Sequence, residues 1–505
     1  MNKFLYGAAV QGIQDFILQS DKLREIVGAS ELVAQICTAR FAELLGIDVT
    51  GEQLASALEQ DGHFILHAAG NVKYIFEERE KCEAVVREFP KKVMVSAPGI
   101  TISQAVVEFD DADPDAFSKA VDLLESRLRI QRNRPARSMT MGVNGIRRSR
   151  QTGLPAVVSF KNEKEKVIEY LDDATNKKRR ASDTLGLCKR AFGDDIHADQ
   201  VALDMDELAS GDNNWIAVIH ADGNGLGRIV QKVGYEPDLF KQFSEKLDKA
   251  TVQSARTAFD AVKGSFRPDA KIPIRPVVLS GDDLTVICRA DLALDYTATF
   301  IKAFEENTIG LFGDIEVFTS GEVRDRMTAC AGIAYVKASY PYYYAYDLAE
   351  NLCSAAKKDA KDNDAIRKGE ELPQSCILFH KVQDSFNESL EDITRRELSP
   401  AEGISLRHGP YYLSDKKDRW TVSRLKSAAE AFQGEEGNAV KSTVRRWLTA
   451  LHDEPGMAAQ MLQRAQMLYG GKQKALLLEA TTPVAGRIPA YDMLVVNTIN
   501  TQVTK

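Results

Sequence analysis

The stretch IRPVVLSGDDLTVICR (residues 274–289) decides how the rest of this sequence is interpreted. Two apolar runs of strand length flank Ser280-Gly281-Asp282-Asp283, which is typical of a tight turn. The stretch therefore predicts a β-hairpin that carries two adjacent carboxylates at its turn. Neighbouring strand residues point to opposite faces, so the sequence leaves open which of Asp282 and Asp283 contacts a ligand directly.

The segments around this hairpin alternate between strand and helix patterns. They are the strand NWIAVIHAD (214–222), a helical region over 224–263, a helix near 291–307, the strand MTACAGIAYV (327–336) and a helix from about 342 to 361. Tyr342, Tyr343, Tyr344 and Tyr346 are expected to pack that last helix and cover its surface. With the hairpin included, the order is β-α-β-β-α-β, which is that of a ferredoxin-like unit.

The same order occurs at the start of the chain. The strand FLYGAAV (4–10) precedes a long helical pattern, which we expect Gly28 to bend or divide. HFILHAAGNVKYIFE (63–77) predicts a hairpin, and a helix near 79–92 and the strand ITISQAVVEF (100–109) complete the unit. Neither the end of its first strand nor its hairpin turn carries an acid, so we expect this first unit to bind no catalytic metal.

The length and composition fit several domains. The chain has 505 residues, of which 44% are hydrophobic and 27% charged, so three or four domains are expected. We predict an α+β protein with a catalytically silent first palm-like domain (1–145), a basic linker or insertion (146–212), a second palm-like domain (213–395) and a C-terminal helical bundle (396–505). The net charge of −8 argues against a free-standing, non-specific nucleic-acid binder.

The candidate site lies where the second unit's first strand ends beside the hairpin turn. Asp222 follows the strand WIAVIHA, about sixty residues before Asp282 and Asp283. Carboxylate oxygens are the ligands that Mg²⁺ or Mn²⁺ takes when it supports nucleotidyl transfer. Each acid alone would be interpreted as a helix cap or a polar turn. Together in one unit, with the sister unit lacking them, they predict a metal-dependent catalytic site.

Other residues near these acids are candidates for nucleotide binding. The run DGNGLG lies between a strand and a helix start, where backbone N–H groups can approach a phosphate. Lys357, on the helix after the last strand, could neutralise phosphate charge, although a lysine on a helix is more often simply solvated. The predicted nucleotide-binding residues are Gly223, Gly225, Gly227, Ser280, Gly281 and Lys357.

Basic clusters interrupt the otherwise acidic chain between the two units. They comprise Arg147, Arg148 and Arg150, then Lys177 to Arg180, then Lys189 and Arg190. Such clusters are usually solvated surface, and the alternative interpretation is that they contact RNA phosphates. No other feature of the sequence distinguishes the two.

The cysteines and the hydropathy pattern bear on the cellular setting. Seven cysteines are scattered without a CxxC pair, which favours buried thiols in a reducing cytoplasm and predicts no structural zinc. No apolar run approaches the ~20 residues that a membrane-spanning helix needs. We therefore expect a cytoplasmic protein with no membrane partner.

Several of these segments resemble the CRISPR polymerase family, the large palm-domain subunit of type III CRISPR effector complexes. IQDFILQSDKLREIVGASELV (13–33) is similar to the family's first-palm signature, and HADGNGLG and SGDD are similar to its second-palm motifs. GIAYVKASYPYYYAYDLAENLCSAAKK (332–358) resembles the segment that closes that palm, and QTGLPAV (151–157) the start of its middle region.

The resemblance implies a fold, an activity and partners. The palms would be related to GGDEF and cyclase domains, with Asp222, Asp282 and Asp283 as metal ligands and Lys357 as a phosphate contact. The activity would be synthesis of cyclic oligoadenylates from ATP when target RNA binds. The partners would be other effector subunits, guide RNA and target RNA.

The sequence departs from the family pattern at three points. Ser280 replaces the first glycine of the usual GGDD, and we expect activity to survive because serine is small. The middle region lacks zinc-finger cysteines, and no HD nuclease domain precedes the first palm, so we expect neither structural zinc nor DNA cleavage. Two other functions stay open: a free-standing signalling cyclase, and a scaffold that binds ATP or partners without turnover.

Overall fold

Two β-sheets of the same core strand order organise the chain, as seen in a computed structural model. The structure describes residues 2–47, 52–68, 70–110, 112, 115–134, 145–162, 167–209, 214–234, 236–267, 270–312, 326–362, 366, 372–383, 389–401 and 403–503. Helices and strands are both present in each half, and helices follow at the C-terminal end. The predicted α+β fold is confirmed.

The first sheet has four antiparallel strands. They are β1 (Asn2–Gln11), β2 (Phe64–Ala68), β3 (Asn71–Phe76) and β4 (Thr101–Asp110), in the order β2-β3-β1-β4. This is the ferredoxin-like order that the sequence predicts. The hairpin turn includes Gly70, which adopts a left-handed φ of +73°; Ala69 lies outside the described residues.

The helical pattern after β1 is divided, but not at Gly28. The helices are α1 (Ile13–Ile17), α2 (Leu23–Gln35) and α3 (Phe41–Leu44), with a π-helical turn over Ile36–Arg40. The break falls between α1 and α2, and Gly28 lies inside α2. A Cβ on Gly28 would lie 1.7 Å from the backbone oxygen of Lys178. The prediction of a bend was wrong, because this glycine allows another segment to pack closely on the helix.

Three further helices belong to the first half of the chain. They are α4 (Glu52–Gln60), α5 (Arg79–Ser96) and α6 (Ala116–Arg132). Leu124 of α6 is fully buried, and its side chain fills the space in front of Gly7 on β1. The first sheet is therefore covered by apolar helix faces, as its alternating buried pattern on β4 requires.

The insertion between the sheets packs against its neighbours through its basic residues. It contains β5 (Val158–Asn162), β6 (Val167–Leu171), α7 (Asp173–Ala181), α8 (Gly186–Phe192) and α9 (Met205–Leu208). Lys178 is 2% exposed and donates to the backbone oxygen of Phe16 at 2.6 Å. Arg179 pairs with Glu25 at 2.7 Å and with Glu169 at 2.6 Å.

These contacts correct the interpretation of the 177–180 cluster. The sequence suggested either a solvated surface or an RNA contact, but Lys178 and Arg179 are buried and hold α2 of the first half. Arg190, from the next cluster, forms an ion pair with Asp248 at 2.7 Å. The central residues of the cluster stabilise the fold and are not available to RNA.

The second sheet repeats the first and extends it. Its strands are β7 (Trp215–Gly223), β8 (Ile274–Ser280), β9 (Asp283–Arg289), β10 (Ala329–Lys337), β11 (Cys376–Lys381) and β12 (Tyr411–Tyr412), in the order β12-β11-β10-β7-β9-β8. The segment β10-β7-β9-β8 matches the order of the first sheet. Strand β11 is parallel to β10, and β12 comes from the predicted C-terminal domain.

Helices on both faces bury the second sheet. They are α10 (Leu226–Val233), α11 (Pro237–Val262), α12 (Ala293–Phe312) and α13 (Tyr342–Ala360). Eight of the nine residues of β10 are buried, as expected of a central strand covered on both sides. Gly332 of β10 permits this packing, since a Cβ there would lie 2.0 Å from a backbone oxygen of α13.

The C-terminal part is helical. It comprises α14 (Leu390–Glu397), α15 (Val422–Glu430), α16 (Gly434–Asp453), α17 (Pro455–Leu468), α18 (Gly471–Thr481) and α19 (Ala490–Val503). Asp359, at the end of α13, ties this part to the second sheet. It accepts hydrogen bonds from the Tyr412 hydroxyl at 2.6 Å and from Arg419 at 2.9 Å.

Two general features complete the fold. All seven cysteines are free and buried. No helix among the described ranges is both long and apolar enough to cross a membrane.

Candidate active site

The hairpin turn between β8 and β9 positions the acid pair. Gly281 adopts a φ of +61°, a left-handed conformation that glycine tolerates best. Its backbone oxygen accepts a hydrogen bond of 2.5 Å from the Thr251 hydroxyl on α11. The turn is thus fixed from below by a helix, and its two acids project at the end of the sheet.

Strand β7 brings Asp222 beside that turn. One ligand atom from each of Asp222, Asp282 and Asp283 lies within 4.8 Å of the other two. No other group of three metal-ligating side chains this close occurs in the described parts of the chain. The three acids that the sequence proposes as metal ligands therefore share one place, although their role as ligands stays a prediction.

Gly223 makes this approach sterically feasible. A Cβ at this position would lie 2.7 Å from Oδ2 of Asp282 and 2.9 Å from its Cβ. Any other residue would push the acid away from Asp222. Glycine is therefore required at position 223 because there is no space for a side chain beside the Asp282 carboxylate, whether or not its backbone also contacts a ligand.

The electrostatics of the acid pair favour a bound cation. Burial, together with the neighbouring carboxylates of Asp282 and Asp222, raises the pKa of Asp283 to about 8. Burial and Asp222 raise the pKa of Asp282 to about 6. Carboxylates held this close repel one another, so a positive charge placed among them is strongly stabilised.

Lys357 supplies one positive charge from α13. Its ammonium group donates to the Asp222 carboxylate and, at 2.8 Å, to the backbone oxygen of Gly223. Burial lowers the pKa of Lys357, but the negative charge of Asp222 outweighs burial and raises this pKa above its ordinary value. The side chain is 17% exposed, so the interpretation of a solvated helix face was wrong. Its contact with phosphate stays a prediction.

Asn224 fixes the strand end from the buried side. Its backbone N–H donates to the Thr328 oxygen at 2.7 Å, and its side-chain amide donates to the Thr328 hydroxyl at 3.1 Å. The sequence analysis did not single out this residue. Its position directly after Asp222-Gly223 was the signal, because Asn often ties down a strand-to-loop turn.

An open cavity of about 560 Å³ lies in front of the acids. Gly225, with a φ of +83°, immediately precedes α10 and lines the cavity, as do the three acids, Lys357, Gly223 and Gly227. Ser280 is not among the lining residues. The serine that replaces the first glycine is therefore not part of the cavity wall, and its contact with a nucleotide stays a prediction.

Three polar lining residues were missed by the sequence analysis. Arg228 and Gln231 come from α10, and Lys361 follows α13 by one residue. Their spacing was a usable signal: Arg228 lies in the first turn after the glycine run, and Lys361 lies one helical turn beyond Lys357. Arg228 and Lys361, together with Lys357, place three cationic side chains around the three acids.

The first sheet lacks an equivalent acid cluster among its described residues. At the matching positions, Ala9 of β1 pairs with Asn71 of β3. The hypothesis that this half binds no catalytic metal stays a prediction.

Comparisons with known proteins place this geometry in a family. Residues 215–367 match the model of the second palm domain of Cas10/Cmr2. No curated protein sequence matches the chain. Similar solved structures include Csm1 of T. onnurineus, at 13% identity and a TM-score of 0.53, covering 99% of this chain and 69% of that one.

Two Csm1–Csm4 cassette structures are also similar. The apo cassette has 13% identity and a TM-score of 0.51, and the cassette in complex with cA4 has 12% identity and a TM-score of 0.50. Each match covers 100% of this chain and 70% of the other. At this identity the structures establish the shared fold. The chain therefore has the fold of Csm1, and its residues 215–367 match the second palm domain of the Cas10/Cmr2 family.

Proposed function

We propose that this chain is the large subunit of a type III CRISPR RNA-guided effector complex and makes cyclic oligoadenylates from ATP when target RNA binds. The observation that carries the proposal is the three-carboxylate cluster at the edge of an open cavity in a Cas10-type second palm. A similar structure, the Csm1–Csm4 cassette, was solved in complex with cA4.

The residues present fit a divalent cation. Asp222, Asp282 and Asp283 offer only oxygen ligands, which suits Mg²⁺ or Mn²⁺. Burial and the neighbouring carboxylates raise the pKa values of Asp282 and Asp283, so a positive charge among these groups would be stabilised. A cation bound there would promote ionisation of the attacking 3′-hydroxyl and neutralise charge on the α-phosphate.

The chain's own residues then have distinct tasks in nucleotidyl transfer. The acids would hold the divalent cation beside the reacting phosphate, and Gly223 keeps Asp282 close to Asp222. The Lys357 ammonium group donates hydrogen bonds to the Asp222 carboxylate and to the backbone oxygen of Gly223, so it offsets part of the negative charge of the acids. Arg228 and Lys361 lie on the cavity wall where they can neutralise a triphosphate as it binds and a pyrophosphate as it leaves.

The partner proposal follows from the family and from the fold. The cassettes with similar structures pair Csm1 with Csm4, and we propose a comparable small subunit together with guide and target RNA for this chain. The first palm would line one side of the nucleotide cavity without binding the catalytic metal. This arrangement would let RNA binding adjust one palm against the other.

The test is an activity measurement on the assembled complex. The complex is incubated with ATP and Mg²⁺, with and without target RNA, and products are identified by mass spectrometry. We expect cyclic oligoadenylates only with target RNA. Asp282→Ala/Asp283→Ala should lose at least 100-fold in yield, because metal ligands contribute several kcal/mol to transition-state stabilisation.

The chain offers a matched control for that variant. Gly193-Asp194-Asp195 repeats the Gly-Asp-Asp sequence in an exposed loop, and Asp194→Ala/Asp195→Ala should keep full activity. Full synthesis without RNA would favour the free-standing cyclase. ATP binding without any product would favour the scaffold, and equal losses in both double variants would refute the assignment of the acids.

A further inference from the structure

A cluster of positive charge surrounds a partly exposed tryptophan at the end of β7 opposite the candidate active site. Trp215 begins the strand and Asp222 lies near its other end, roughly 23 Å away at ~3.3 Å per residue. Lys337 of β10 lies directly opposite Trp215 in the sheet register. Its ammonium group lies 4.4 Å from the centre of the indole ring.

A second lysine contacts the same ring. Lys381, the last residue of β11, places its ammonium group 4.5 Å from the indole centre of Trp215. In the parallel register Lys381 pairs with Tyr335, two residues before Lys337, so both lysines project from the same face of the sheet. Three strand ends thus combine two ammonium groups with one aromatic ring.

Helix α16 brings Arg445 near Lys381, and Lys441 lies one turn earlier on the same helix. Lys441 donates to the Asn497 side chain at 3.3 Å, and Arg445, one turn later, donates to Thr498 at 3.4 Å. Burial lowers the pKa of Lys381, and the positive charges of Lys337 and Arg445 lower it further. Lys381 is therefore close enough to Lys337 and Arg445 for their charges to repel, and Lys441 is close enough to Arg445. The name Trp215 patch is used below for Trp215, Lys337, Lys381, Lys441 and Arg445.

Keeping like charges together costs folding free energy. The fold nevertheless gathers these cations in one place, although the net charge of the chain is −8. A polyanion that covers the patch would remove the repulsion. An aromatic ring among cations favours a single-stranded nucleic acid over a carboxylate-rich peptide, because a base can stack on the ring while phosphates meet the cations.

We propose that the Trp215 patch binds a single-stranded nucleic acid through its phosphates, with a base on the indole of Trp215. The patch lies at the junction of the second palm and the C-terminal helices, away from the acid cluster. The inference does not depend on catalytic turnover. It also differs from the 177–180 cluster of the insertion, in which Arg179 is buried in ion pairs and Lys178 is buried against the backbone oxygen of Phe16.

The chain contains its own reporter for this interaction. Of its three tryptophans, Trp420 and Trp447 are 2% and 4% exposed, whereas Trp215 is partly exposed. Titrating the full chain with an oligouridylate of about 15 nucleotides should quench the Trp215 fluorescence, since a stacked base quenches indole emission. Trp215→Phe should abolish the quenching and weaken binding, measured by fluorescence anisotropy of labelled RNA, by about 3- to 10-fold.

A charge-reversal pair locates the phosphate contacts. Lys441→Glu/Arg445→Glu should weaken binding at least 10-fold, and the dependence of log Kd on log salt should become shallower by about 1.4, at ~0.7 per lost phosphate contact. Arg446→Glu is the matched control. It is exposed on the same helix next to Arg445 and should lose no more than the ~2-fold expected from net charge alone.

Folding is checked on each variant by its thermal midpoint. Lys441→Gln/Arg445→Gln, which leaves neutral helix-forming side chains, serves if the charge reversal unfolds the chain. Equal losses in Arg446→Glu and the double variant would overturn the proposal. So would unquenched Trp215 fluorescence at saturating RNA, or displacement of the RNA by polyglutamate at an equal concentration of charges.

Discussion

Lys357 is the residue on which the charge balance of the candidate site depends. It is the cation that touches Asp222 and the backbone of Gly223, in a cluster whose other two acids have raised pKa values. Removing it leaves three carboxylates facing one another, so the site should hold nucleotide phosphates less well and protonate more readily.

We predict that Lys357→Met lowers cyclic oligoadenylate yield about 100-fold, the usual effect of removing a charge-assisted contact from a reacting phosphate. Product formation by the RNA-bound complex is the measurement. Lys358→Met is the control, because the neighbouring Lys358 is exposed on the same helix. Equal activity of the two variants would refute the role of Lys357.

Gly223 gives a second prediction at this scale. Gly223→Ala should cost at least 100-fold in yield, because the added methyl group collides with Asp282 and separates it from Asp222. Gly264→Ala, where a Cβ meets nothing within 4 Å, should be near wild type. Retained activity in Gly223→Ala would show that the acids need not lie this close.

The sequence predicted the acids of the site more completely than its cations. A strand end and a hairpin turn of one unit must meet, so the proximity of Asp222, Asp282 and Asp283 follows from the topology alone. Arg228 and Lys361 depend on which way two helices face the cavity. That rotation is fixed by packing against the sheet, which spacing in the sequence does not reveal.

At the scale of elements, the contact between α2 and α7 is the least expected feature. The two helices cross at Gly28. The backbone of Lys178 on α7 occupies the space that a side chain at position 28 of α2 would need. The basic run that contains Lys178 resembles surface in the sequence. Its burial depends on Glu169, ten residues before Arg179, and on Glu25 and the oxygen of Phe16, which lie about 150 residues earlier in the chain.

Burial of Lys178 predicts a specific dependence of stability on pH. Burial lowers the pKa of Lys178 to about 8, from 10.5 for the free group. Below pH 8 both folded and unfolded chains carry the charge, and the cost of burying it is fully present. As pH rises from 8 to 10.5 the folded lysine loses its proton first, so the wild-type fold gains stability.

Lys178→Met should remove that gain. Its thermal midpoint relative to wild type should be highest near pH 7 and should fall as pH rises through 8 to 10. The control is Lys189→Met, an exposed lysine of the same insertion, whose difference from wild type should stay constant. A constant difference for Lys178→Met as well would mean that Lys178 titrates normally in the folded chain.

Across the whole molecule, Asp359 joins the second palm to the C-terminal helices. Its carboxylate accepts from Tyr412, Arg419 and Arg487, the last at 3.3 Å, and is 14% exposed. Burial opposes its ionisation, but the bonds from Arg419 and Tyr412 lower the pKa of Asp359. Removing the Asp359 carboxylate would leave the guanidinium groups of Arg419 and Arg487 close together without a shared counter-charge.

Asp359→Ala should therefore destabilise the chain by about 1–3 kcal/mol, less than the cost of breaking a fully buried ion pair from one side, because Asp359 and its partners are partly exposed. The expected readout is a lower thermal midpoint together with faster proteolysis between the palm and the C-terminal helices. Glu430→Ala, at an exposed position of α15, should change neither. An unchanged midpoint for Asp359→Ala would show that apolar packing alone holds the two parts.

Helix α13 is fastened at both ends by other parts of the chain. Asp21 of the first palm region accepts from the backbone N–H of Tyr342 at 2.9 Å, and the C-terminal region binds Asp359. Lys357 lies between these two attachments. For protein engineering, the second palm is consequently not a transplantable cassette. A chimera that exchanges residues 215–367 alone inherits the acids but must rebuild the geometry of Lys357 with foreign neighbours, so functional recombination breakpoints should fall outside both attachments.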